Sequence, residues 1–193
     1  MRETYSKNYF EKYAALTLTL FFNIDKEAII QSDRPDLRIP SIQFGIEVTQ
    51  ALTPQEAVED MKKPLYMSLD LTPFDHSHQD LAFVYEKIDD AIDRKLKKAK
   101  NYEHYLYNGL YIFSHCHNLL QESLQNFLSQ KQIPHDFYQY IFINSVTKIY
   151  CFDILSNQII PFSFHRQDLI KMNLEALIYE KTCSKKRRKI IIP

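Results

Sequence analysis

Asp36 and Glu47 are the residues of this chain whose types and spacing most directly suggest chemistry. They lie in the stretch from Arg34 to Gln50, RPDLRIPSIQFGIEVTQ, with ten residues between them. Side chains two apart share a face of a strand. Leu37 and Ile39 therefore point one way, and Asp36 and Arg38 the other. On the next segment Ile46 and Val48 share a face, and Glu47 and Thr49 take the opposite one. A hairpin that pairs the apolar faces leaves Asp36 and Glu47 together on the non-core side. Neighbouring strands sit about 4.7–4.9 Å apart, so the two carboxylates can share one divalent cation. Gly45, one of two glycines in the chain, stands where a bulge or a close backbone approach is expected.

A cationic counterpart comes from the clearest helix. Ser77 and Asp80 make a cap, and the pattern runs to about Asn101, with Leu81, Val84, Tyr85, Ile88, Ala91, Ile92, Leu96 and Ala99 as an apolar stripe at spacings of three and four. Lys95 falls inside that stripe and Lys98 at its border. A lysine there can pack its stem and snorkel its ammonium to water, or it can be aimed at a carboxylate cluster. Glu11, at the edge of the stripe of an earlier helix, has the same two readings: a solvated acid near a helix N-terminus, or a third carboxylate for the site.

The elements that must position these residues follow from local patterns. Ser6 caps a predicted helix over Lys7 to Phe22, although the alternation in LTLTLF also fits a strand. An extended segment begins at Ala28 to Ile30 and leads into the hairpin. Thr53-Pro-Gln-Glu56 is a capping box with proline at the first helical position, predicting a helix to about Lys62. Residues 64–76 read as a loop or irregular strand. Tyr105 to His115 is a predicted buried strand and Asn118 caps a predicted helix through Gln130. Strands are expected over Phe137 to Val146, Lys148 to Ile154 and Gln158 to Phe164, the last an edge because of Pro161. A final helix opens at Gln167-Asp168.

Bulk properties narrow the class. The chain has 193 residues, 45% hydrophobic and 25% charged, with no net charge. That fits one domain with a real core. Zero net charge is no argument for nucleic acid, yet it leaves room for a local basic groove. Three scattered cysteines favour free thiols in a reducing compartment, and the first residues resemble neither a signal peptide nor a membrane span. Cytoplasmic is the default expectation, with no membrane partner. Two isolated glycines cannot form a phosphate loop. His115-Cys116-His117 has no partner pair at zinc-finger spacing. The basic run Lys185 to Lys189 reads as a solvated tail that can contact phosphates by counterion release.

Pro35-Asp36, followed after the ten-residue gap by Glu47-Val48-Thr49, resembles the motif of the PD-(D/E)XK nuclease superfamily. The order helix, three short strands, helix, strand also fits, over about residues 6–115. The resemblance implies an α/β fold with a restriction-endonuclease-like core, a central mixed β-sheet flanked by helices. Residues 116–181 would add C-terminal strands and a helix, and 182–193 a basic tail. It also implies Asp36 and Glu47 as ligands of Mg2+ or Mn2+, with Glu11 completing the acidic shell. The expected activity is hydrolysis of nucleic acid, DNA before RNA, in a restriction, repair or mobile-element setting; a homodimer is left open. The chain departs from the motif at Thr49, where the family carries a lysine. Either Lys95 or Lys98 supplies it from the following helix, with Thr49 holding a water or phosphate oxygen, or the domain binds without cutting. A third reading is a plain interaction protein with Asp36 and Glu47 as solvated strand residues.

Overall fold

A computed structural model describes residues 4–65, 74–99 and 101–190, the side chains of 185–190 excepted. The helix predicted from Ser6 forms as α1 (Lys7–Phe22), with the Ser6 hydroxyl accepting the Asn8 N–H. After a short 3-10 turn come β1 (Ile30–Gln31), β2 (Leu37–Ile39) and β3 (Phe44–Gln50). The capping box at Thr53 is complete: its hydroxyl accepts the Glu56 N–H, and the Glu56 carboxylate accepts the Thr53 N–H at the head of α2 (Pro54–Met61). Then follow α3 (Leu81–Ala99), β4 (Tyr107–Phe113), α4 (Gln121–Gln130), β5 (Tyr140–Ser145), β6 (Lys148–Asp153), β7 (Gln158–Ser163) and α5 (Arg166–Ile190). Among the described residues no helix is long and apolar enough to cross a membrane.

The seven strands make one mixed sheet in chain order. β3, β4 and β5 are parallel, and the remaining pairs are antiparallel. The period-two alternation sorts side chains onto two faces. Leu37, Ile46, Val48, Tyr111, Phe113 and Phe142 pack with α1 and α5. Leu110, Ile112, Ile141, Ile143 and Phe152 pack with α3 and α4. Parallel strands need crossovers; α2 and α3 bridge β3 to β4, and α4 bridges β4 to β5. The result is the expected three-layer α/β arrangement, with β7 an edge that carries Pro161.

Local cap assignments change in two places. Asp80, not Ser77, caps α3 by accepting the Ala82 N–H. Ser77 instead bonds His117 through its hydroxyl. Asn118 does not cap α4: its amide reaches the Ser77 carbonyl, and the cap position is Leu120. In both cases a short polar side chain found a tertiary partner ahead of the local backbone. Most of the loop expected over 64–76 lies outside the described residues.

Candidate metal and phosphate site

The predicted hairpin is present, with Leu37 opposite Ile46 and Arg38 opposite Gly45. Ladder pairing stops at Leu37. One step further on, Asp36 Oδ2 accepts the Val48 N–H at 2.8 Å, so a side chain supplies the acceptor to a donor of β3. That bond ties the Asp36 carboxylate to the strand carrying Glu47. Gly45 allows the approach: a Cβ there would lie 2.8 Å from both Pro35 Cγ and Tyr105 Cδ2.

Asp36 and Glu47 are both buried, at 3% and 5% exposure. This removes the reading in which they are solvated strand residues, because buried carboxylates need partners. Lysines from two helices provide them. Lys95 Nζ on α3 lies 2.8 Å from Glu47 Oε2, as its place on the apolar stripe allowed. Lys7 Nζ on α1 lies 2.7 Å from Asp36 Oδ1 and 3.1 Å from Glu11 Oε1. Sequence reasoning passed over Lys7, although its i,i+4 spacing to Glu11 was a usable signal.

These groups line a cleft of about 490 Å³ that also holds Arg34, Lys98 and Tyr102. Burial pushes the Glu47 carboxyl up, and attraction to Lys95 offsets part of that rise. Glu47 Oε1 remains buried with no hydrogen-bond partner. Burial of Lys7 opposes its charge, but its bond to Asp36 and the charges of Asp36 and Glu11 raise its pKa overall. Glu11 is itself buried rather than solvated. Desolvation pushes its carboxyl up to about 7; the bond to Lys7 opposes the rise and the charge of Asp36 adds to it.

Two expected participants stand beside the cleft, and Glu11 remains joined to Asp36 through Lys7. Thr49 and Glu11 line an adjoining cavity of about 340 Å³ instead of the cleft, the two spaces sharing Lys7 and Val48. Among the described residues no group of three or more His, Cys, Asp or Glu is arranged to hold a metal ion. The chain matches no family model, no curated protein and no solved structure.

A second buried polar cluster was also missed. Lys87, 3% exposed, donates to Glu56 Oε1 at 2.9 Å and Gln79 Oε1 at 2.6 Å. His76 Nε2 lies 3.1 Å from Asp60 Oδ2. Bonds to Gln79, Thr53 and Lys87 outweigh desolvation and bring Glu56 down to about 2. Lys87 stands three after Val84 and four before Ala91, so the spacing that singled out Lys95 applied to it as well. Here it clamps α2 to α3. His115, which fits an ordinary polar or partly buried residue rather than a metal ligand, is buried and bonds Gln50 Oε1 at 3.0 Å. Cys116 is a buried free thiol.

Proposed function

We propose that this chain is a metal-dependent nuclease that hydrolyses phosphodiester bonds of nucleic acid, DNA in the first instance, at a PD-(D/E)XK-like site. The observation that carries the reading is the Lys95–Glu47 contact of 2.8 Å on a cleft shared with Asp36. It puts an ammonium beside the second carboxylate, a role the motif gives to the lysine two residues after the glutamate. Thr49 stands at that position here.

The donors suit a hard divalent cation such as Mg2+ or Mn2+. Asp36 and Glu47 offer carboxylate oxygens, Glu47 Oε1 has no hydrogen-bond partner, and one or two carboxylates are the usual protein share of a Mg2+ site. Such an ion, when bound, lowers the pKa of its water and neutralises charge building on phosphate. Lys95 then holds its proton against the attacking water or the scissile phosphate. Lys98 and Arg34 add positive charge on the same wall, and Lys7 balances Asp36.

A second reading, a nuclease-like module that binds nucleic acid or a protein partner without cutting, is favoured by Thr49 and by the lysines already paired with both carboxylates. A cleavage assay on plasmid and oligonucleotides with Mg2+ or Mn2+ separates the two, comparing the natural sequence with Glu47→Ala and Lys95→Ala. Metal-dependent cleavage that both substitutions suppress is expected. Full-rate cleavage by Glu47→Ala would remove the site, and salt-sensitive binding without cleavage in either metal would select the silent module.

A further inference from the structure

We propose that the cavity beside the carboxylate cleft receives one unpaired nucleobase bearing an exocyclic amino group, so that the strand engaged is single-stranded or has that base extruded. This rests on the nucleic-acid reading of the cleft and names its substrate more narrowly. The cavity, about 340 Å³, shares Lys7 and Val48 with the cleft. A phosphate held over Asp36 and Glu47 therefore has its neighbouring nucleoside at this opening.

The walls suit a base. Phe10, Leu52, Ala57 and Met61 provide apolar surface, which favours the flat face of any base over water. The volume lies at the small end of the roughly 300–1,000 Å³ of small-molecule sites, enough for one base. The polar groups are few and placed. Arg94 is held at the wall by the carbonyl of Gln50 at 3.2 Å and that of Asp90 at 3.3 Å. Glu11, 6% exposed, brings a buried carboxyl to the cavity wall, its Oε1 lying 3.1 Å from the Lys7 ammonium. A carboxylate oxygen accepts from an amino group such as cytosine N4, whereas thymine has two carbonyls and a single ring N3–H between them, so the carboxylate meets a repelling carbonyl on either side.

The test measures fluorescence anisotropy of labelled oligo-dC, oligo-dT and a duplex of mixed sequence, with the natural protein and Ca2+ in place of Mg2+. Oligo-dC should bind about tenfold tighter than duplex and about fivefold tighter than oligo-dT, ratios well above twofold scatter. Ala57→Phe, which fills the cavity, should erase both preferences, and Glu11→Gln should narrow the second. A single strand of the same length with abasic residues in place of every cytidine, tested on the natural protein, should bind about tenfold more weakly than oligo-dC, so a poorly folding variant does not decide the outcome. Equal binding of duplex and single strand, or equal binding of the abasic strand, overturns the base pocket alone. Binding of no nucleic acid at all overturns the reading of the cleft together with it.

Discussion

Lys95 Nζ donates to Glu47 Oε2 at 2.8 Å across forty-eight positions of sequence, joining α3 to β3. The pair is mostly buried, with side-chain exposures of 17% and 6%. Removing one partner of a fully buried pair costs about 3–5 kcal/mol. Partial solvation at the cleft lowers this, so Lys95→Ala should cost about 2 kcal/mol in urea unfolding. Lys95→Ala combined with Glu47→Ala should cost less than the sum, with a coupling of about 1–2 kcal/mol. In cleavage assays Lys95→Ala should lower the rate by about 10²-fold or more, while Lys98→Ala, exposed on the rim, should lower it less than tenfold. Equal effects of the two lysines would mean that general positive charge, not placement, matters.

Gly45→Ala should destabilise the protein by about 1–3 kcal/mol, the usual range for overpacking. The new methyl would sit 2.8 Å from Pro35 Cγ and from Tyr105 Cδ2. Because Pro35 precedes Asp36, relief of that contact moves the carboxylate, and metal-dependent activity should fall further than stability alone explains. Thermal melting and cleavage rates on one preparation would show it.

Glu180 of α5 organises the start of α1. Its Oε2 accepts the Ser6 hydroxyl at 2.6 Å and the Tyr9 N–H at 3.1 Å, placing negative charge at the positive end of the helix dipole. Glu180→Ala should cost about 1–2 kcal/mol by chemical denaturation, with Glu180→Gln milder. Since α1 carries Lys7 and Glu11, faster hydrogen exchange in its first turn should accompany the loss.

His115 makes the fold sensitive to acid. Burial, reinforced by the charges of His76, Lys87 and Lys63, lowers its pKa to about 3 from an ordinary value near 6.5. Its neutral ring donates from Nε2 to Gln50 Oε1. Between those two values the unfolded chain binds the extra proton and the folded chain does not, so stability rises with pH there. The contribution is fully present above about pH 6.5 and is lost as pH falls towards 3, for about 5 kcal/mol at most. His115→Gln should flatten this part of the stability profile measured by urea titration at several pH values. A slope unchanged by the substitution would assign the acid sensitivity to other groups, Glu56 first, whose carboxyl is held at about 2.

Strand parity, capping boxes and helical spacing made much of the architecture legible, because these are local rules. The Thr53 box, the bounds of α1 and the Leu37–Ile46 pairing all follow from neighbours close in sequence. Parity also placed Asp36 near Glu47. It did not predict the Asp36 bond to the Val48 N–H, since that needs the ladder to end where it does. Caps were misjudged at Ser77 and Asn118, where loops from distant parts of the chain meet and compete for the same polar groups.

By itself the sequence determined an α/β chain with two carboxylates on a hairpin and a lysine set into the apolar face of a later helix. Only the tertiary structure decided which ammonium meets which carboxylate. Lys95 reaches Glu47 because the crossover lays α3 against β3; Lys7 reaches Asp36 because α1 packs across the other face with its first turn at the strand edge. It also decided that Glu11 and Thr49 turn to the neighbouring cavity. Periodicity assigns a side chain to a face of its own element, whereas the contents of a cleft depend on how two elements are set against each other, through contacts made across the whole length of the chain.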